Sequence, residues 1–186
     1  MLYTRKGDGG TTKTLRQQGT GERISKASCQ TEALGTLDEL NSFLGLCRVR
    51  AALLRWKVEG KTPSEIIRQV QHNLFIVQAE LAGADKKIKP SKVGELEEYT
   101  DAIEKMMPPI TSFFVPGGTE VGALFDVART QARRAERTVI RAVEAGEITL
   151  NEHTRGYLNR LSSLLYALAR FANYKAGVKE EPPTYE

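Results

Sequence analysis

The chain has 186 residues, with 27 Lys+Arg against 23 Asp+Glu, two His, two Cys and 40% hydrophobic residues. That length and apolar content suit one domain with a sizeable core, and 27% charge with 7% aromatics excludes a disordered or fibrous chain. A net charge of +4 is too small to argue for nucleic acid or a membrane surface, and Cys29 and Cys47 match no metal or redox spacing and exclude a disulfide framework. No apolar stretch opens the chain, and the longest apolar run, Leu164 to Ala169, is too short to cross a bilayer. The expected compartment is a reducing cytoplasm.

Residues 1–28 are rich in Gly, Thr, Ser, Lys and Arg, lack helical or strand periodicity, and are expected to form an extended polar arm. Ala33, Leu37, Leu40, Leu44 and Cys47 then recur at helical spacing and predict a first helix over roughly 31–54. Thr62-Pro63-Ser64-Glu65 reads as a capping box with proline at the first helical position. Behind it, Ile66, Val70, Leu74, Val77 and Leu81 form the stripe of a second helix that stops at Gly83.

A polar loop containing Pro90 is expected next, then a weaker third helix through Val93, Leu96, Ile103 and Met107, halted by Pro108-Pro109. Ile110 to Gly118 is an apolar loop that proline and paired glycines keep from being helical. Thr119 caps a fourth helix whose stripe is Leu124, Ala128, Ala132, Ala135, Val139 and Val143, ending at Gly146. Asn151 caps a fifth, striped by Leu158, Leu161, Leu165, Leu168 and Phe171. The fold class is all-α: a single domain, 1–186, built as an arm over 1–28, an antiparallel five-helix bundle over 29–175 and a polar, frayed tail over 176–186.

Several constellations carry chemistry. Thr4 to Thr14, with Arg5, Lys6, Gly7, Thr12 and Lys13, has the small, basic and hydroxyl residues of a phosphate cradle. The same composition also describes a flexible arm, and no strand or parallel sheet supports a P-loop. On the fourth helix Arg129, Arg133, Arg134, Arg137 and Arg141 face one acid, Glu136. Such a run is either a solvated face or, beside an alanine-rich stripe that lets another helix approach, a cleft of forked donors for polyphosphate. Asp38 on the first helix and Asn159-Arg160 on the fifth suit buried ion pairs or hydrogen bonds between helices. Phe113-Phe114-Val115 either plugs the bundle end or lines a pocket for a large flat ligand. His72 and His153 lack the spacing of a di-iron bundle.

Five blocks together resemble the PduO-type ATP:cob(I)alamin (corrinoid) adenosyltransferases: Tyr3 to Thr12, Glu32 to Ser42, Phe113 to Gly118, Val127 to Arg137 and Tyr157 to Ser162. They occur in the family's order, although Ser163 stands where the family often has Asp and Leu34 where an aromatic is common. The resemblance implies a ferritin-like, cobalamin-adenosyltransferase-like bundle, a homotrimer with sites between subunits, and an arm that binds nucleotide. It implies transfer of the 5′-deoxyadenosyl group of ATP to Co(I) of a corrinoid, with release of triphosphate and a reductase as source of Co(I).

By the same resemblance Thr4, Arg5, Lys6, Gly7, Thr12, Lys13 and Lys26 bind ATP phosphates, with Arg133, Arg134 and Arg137 as clamps. Glu136 organises Mg²⁺ and nucleotide, and Asn159 contacts the nucleoside. Asp38 and Arg129 pair at the subunit junction and shape the corrinoid site, and Phe113 occupies the lower face of the corrin. Arg133, Asp38, Arg129 and Phe113 are thus the expected catalytic set, with no nucleic acid and no membrane as partners. Two other readings predict different behaviour. A nucleic-acid-binding bundle would need no ATP and would bind with steep salt dependence. A corrinoid carrier would have no use for Arg133, Glu136 and Asn159 together.

Overall fold

Five helices dominate the computed structural model, which describes residues 3–185: α1 (Cys29–Ala51), α2 (Pro63–Leu81), α3 (Pro90–Lys105), α4 (Glu120–Glu144) and α5 (Glu152–Lys175). Residues 1, 2 and 186, the extreme ends of the expected arm and tail, lie outside the described residues. Leu37, Leu40 and Leu44 of α1, Ile66 and Leu74 of α2, and Leu161, Leu165 and Leu168 of α5 are wholly buried. Each such side chain contributes about 1.5–3 kcal/mol by leaving water. The row Ala128, Ala132 and Ala135 lets α4 lie close to both α1 and α5.

End-to-end contacts give the helix directions. Arg50 near the end of α1 pairs with Glu120 at the start of α4 at 3.3 Å. Asn173 near the end of α5 accepts from the Thr119 N–H at 2.9 Å, and Glu80 near the end of α2 accepts from the Asn151 N–H at 2.7 Å. Consecutive helices therefore alternate in direction. The neighbours α3 and α5 run the same way, since Ile88 meets Thr154 at their starts and Glu97 meets Arg160 further along.

Several boundaries differ from the sequence reading. The first helix starts at Cys29, behind Ser28, whose hydroxyl accepts from the Thr31 N–H at 3.2 Å, and Glu147, beyond the end of α4, accepts from the N–H groups of Cys29 (3.3 Å) and Gln30 (2.7 Å). A carboxylate there satisfies orphan donors and complements the helix dipole, and nothing local announces it. Pro90 is not in a loop: it is the first residue of α3, behind Lys89, which makes no side-chain cap, so only the proline marked the start. On α4 the stripe lies one residue over at each end, with Phe125 and Ala142 buried and Leu124 and Val143 half-buried.

The arm is structured. Thr11–Thr12 (β1) pairs antiparallel with Ile24–Ser25 (β2), and between them Gln17 caps the backbone and hydroxyl of Thr14. Two-residue strands are too short to leave a period in the sequence. The Arg16 N–H donates to the Ala82 carbonyl at 3.0 Å, which docks the arm on the end of α2. Gly83 permits this approach. Its φ is +98°, and a Cβ there would lie 2.3 Å from Arg16 Cγ.

As far as Glu181 the tail is anchored rather than frayed, because Glu180 binds Arg170 Nη1 at 2.6 Å and the Glu181 carbonyl accepts from the Val115 N–H at 2.9 Å.

Candidate active site

The apolar loop after α3 lines a cavity of about 930 Å³ at the end of the bundle. Ile110 to Phe114 form one wall, Asp126, Arg129 and Arg133 of α4 a second, and Ser162, Ser163, Tyr166 and Arg170 of α5 a third, with Glu104 and Met107 closing the α3 side. That volume accommodates a large ligand. Phe113 is 79% exposed at the rim, whereas Phe114 turns inward under the Arg170 guanidinium, 5.9 Å from its ring.

Buried charge lies behind this apolar front. Asp126 takes one arginine on each oxygen: Arg129 Nε at 3.3 Å on Oδ1, and Arg170 Nη2 on Oδ2. Arg170 is 2% exposed, an extreme position for a guanidinium that is tolerable only because Asp126 and Glu180 both neutralise it. Tyr166 packs its ring 5.2 Å from Arg170 and 5.9 Å from Arg129. Burial pushes its phenol up, with the nearby Arg170 charge opposing the shift, so the hydroxyl stays neutral. Burial likewise pushes the Cys47 thiol up to about 12, which removes it as a nucleophile.

A smaller cleft, about 500 Å³, opens where α4 faces the start of α5, and it holds Glu136, Asn159, Arg155 and Gly156. Asn159 Nδ2 donates to Glu136 Oε1 at 3.0 Å, and Arg160 Nη1 donates to Asn159 Oδ1 at 2.7 Å, so both ends of the amide are oriented. Arg160 is in turn held by Glu97 at 2.9 Å.

The arm forms the third cluster. Gly7 lies directly against Lys26: a Cβ on it would stand 3.0 Å from Lys26 Nζ and 3.4 Å from the Thr11 carbonyl. Thr4, Arg5, Lys6 and Lys13 are exposed beside it, while Thr12 is committed to β1. Arg23, which the sequence reading passes over, fastens the hairpin by donating to the Lys6 carbonyl at 2.7 Å and to Thr11.

The expected residues thus fall into groups. Phe113, Arg129 and Arg133 share the cavity, Glu136 and Asn159 share the cleft, and Lys6, Gly7 and Lys26 share the arm. Arg137 is exposed on α4, and Arg134 is drawn to Glu39 of α1 in an exposed ion pair. Within one chain Arg129 pairs with Asp126, and Asp38 stands exposed on α1. Asp126 and Arg170 were legible in principle, since each is a charge set beside the apolar stripe of its helix. Glu180 gave no such signal.

A five-helix bundle with a cavity beneath an apolar loop, and a basic, glycine-containing arm, defines a class of ligand-binding helical proteins. A family model described as cobalamin adenosyltransferase matches residues 2–172, and the chain belongs to that family. The corrinoid adenosyltransferase PduO of Citrobacter freundii is 38% identical over 184 residues, covering 94% of this chain and 50% of that protein. The corrinoid adenosyltransferase of Bacillus subtilis is 36% identical over 181 residues, covering 95% and 89%. The chain spans about half the length of the two PduO relatives it matches. Among solved structures, a phenylalanine-to-histidine variant of a PduO-type ATP:corrinoid adenosyltransferase from Lactobacillus reuteri, complexed with cobalamin and ATP, has a TM-score of 0.86 at 28% identity. It covers 100% of this chain and 97% of that one.

Proposed function

We propose that the protein transfers the 5′-deoxyadenosyl group of ATP to the Co(I) of cobalamin or a related corrinoid. The observation that carries this reading is the cavity, where the apolar loop that carries Phe113 meets Arg129 and Arg133 on a chain of this family. In the reaction the Co(I) electron pair attacks the 5′ carbon of ATP. The carbon–oxygen bond breaks, and triphosphate leaves with its electrons. No general base is needed. The protein's work is to align cobalt with the carbon and to neutralise the departing charge.

Lys6, Lys13 and Lys26, with the backbone at Gly7, would surround the phosphates, helped by Thr4, Arg5 and Thr12, and Arg133 and Arg137 would clamp them from α4. Arg134 joins them only by leaving Glu39. Among the described residues no group of three or more His, Cys, Asp or Glu could hold a metal ion, so Mg²⁺ would arrive with the nucleotide. The ion commonly binds through phosphates and a single carboxylate, which Glu136, oriented by Asn159, can supply. When bound it offsets phosphate charge.

Phe113, projecting from the rim, would cover the lower face of the corrin and deny cobalt a water ligand, which favours a four-coordinate Co(II) that a reductase can reduce. Arg129 spends its Nε on Asp126, which leaves its Nη groups for the partner subunit's Asp38 in a homotrimer. Assembly would also bury Leu46, Val49 and Phe75, apolar side chains exposed on α1 and α2. A cytoplasmic location accords with both cysteines being free thiols.

The test is to mix purified protein with ATP, Mg²⁺ and chemically reduced cobalamin and to follow the absorbance change to the cobalt–carbon product. Absence of an ATP-dependent product overturns the reading.

A further inference from the structure

We propose that the C-terminal tail, residues 177–181, braces the wall of the corrinoid cavity from behind, and that Glu180 is a positioning residue for the loop carrying Phe113. The inference rests on the corrinoid reading above. Phe113 is too exposed to be held by its own packing, so its height over the cavity depends on what anchors its neighbours. Two residues on, the Val115 N–H donates to the Glu181 carbonyl at 2.9 Å. One residue on, Phe114 lies under the Arg170 guanidinium. Both anchors lead to Glu180.

Its carboxylate oxygen Oε1 takes Arg170 Nη1 and Asn173 Nδ2, each at 2.6 Å. Asn173 also holds the far end of the same loop, donating to the Gly117 carbonyl at 2.8 Å and accepting from the Thr119 N–H at 2.9 Å and its hydroxyl at 2.8 Å. The tail is thereby stitched to both ends of the loop's second half.

Charge makes the arrangement cooperative. Glu180, Arg170, Asp126 and Arg129 form a row of alternating sign that runs from the tail to the cavity wall. With Glu180 ionised, two acids face two arginines. With that charge removed, Arg170 and Arg129 share Asp126 alone in a poorly hydrated wall, where an uncompensated guanidinium is costly. Asp126 is then drawn fully to Arg170, Arg129 is freed from its place in the cavity, and the tail loses the tie that keeps Glu181 under Val115. Glu180 itself touches no ligand in this account. It acts through Arg170 and the loop.

The experiment compares full-length Glu180→Gln and Glu180→Asp with the wild type in two assays: cobalamin binding without ATP, and adenosyl transfer with each substrate varied. The expected result for Glu180→Gln is cobalamin binding weakened about tenfold and KM for cobalamin raised to match, with KM for ATP unchanged. The electron-resonance signal of four-coordinate Co(II) should shrink, and Glu180→Asp should restore most of each loss. Equal cobalamin binding by wild type and Glu180→Gln overturns the inference. So does a lower melting temperature with no change in either KM, or an equal rise in both. A wild type that binds cobalamin in this Glu180-dependent way yet forms no ATP-dependent product would overturn the transferase reading and leave the tail's role standing. A wild type that does not bind cobalamin overturns both.

Discussion

Arg23 grips Thr11 at two points, its Nε on the hydroxyl at 2.7 Å and its Nη2 on the carbonyl at 2.8 Å. The same Nη2 reaches the Lys6 carbonyl at 2.7 Å, so one guanidinium sets the spacing between the first turn of the arm and β1. Lysine has a point charge and no fork, and it cannot make these bonds together. Arg23→Lys is expected to raise KM for ATP about three- to tenfold, as a loss of roughly 0.7–1.4 kcal/mol of binding would. KM for cobalamin should stay constant, and steady-state kinetics with each substrate varied reads the difference.

Two acid–arginine pairs on α4 differ in worth because they differ in hydration. Asp126 and Arg170 are 4% and 2% exposed, whereas Arg134 and Glu39 meet at the surface. Asp126→Ala leaves buried Arg170 and Arg129 short of an acid and should cost about 3–5 kcal/mol of stability. Arg134→Ala should cost under about 1 kcal/mol. Urea denaturation of the two variants gives the comparison, and similar losses would refute the burial argument.

Arg133 and Phe113 line one cavity but are expected to fail differently. Arg133→Ala should abolish turnover with either cobalt oxidation state supplied, and the assembly should be unchanged by sedimentation. Phe113→Ala should spare the reaction with chemically prepared Co(I) and impair the route that starts from Co(II), since water could then reach the metal. Parallel assays from the two oxidation states decide it.

The capping box at the start of α2 carries a pH dependence. Glu65 accepts from the Thr62 N–H at 2.8 Å and hydroxyl at 2.9 Å, and these bonds hold its carboxyl below the ordinary value of 4.5. The folded state therefore prefers the ionised form. The stabilisation is present above pH 4.5 and is lost as pH falls through the lower, folded-state value. The stability gap between the wild type and Glu65→Gln should narrow on acidification from pH 6 to pH 3, as measured by urea midpoints. A constant gap would show that the carboxylate's charge is not involved.

Local physics made the helices legible. Thr62, Thr119 and Asn151 are caps whose side chains accept the first free N–H groups, Gly83 and Gly146 stop helices with positive φ, and leucine or alanine every three to four residues marks the buried faces. Those signals need only neighbours within one turn, so they predicted the five-helix order and marked the loop with Phe113 as one that must serve a purpose. What lay out of reach depends on residues far apart in the chain. Glu147 caps α1, Arg16 docks on Ala82, and Glu180 closes the charge row through Arg170 and Asp126 to Arg129. An isolated acid or arginine in a sequence looks the same whether it is solvated or buried. Only packing, by taking water away from Arg170 and Asp126, turned two ordinary charges into a pair that shapes the cavity and set a polar tail behind its wall.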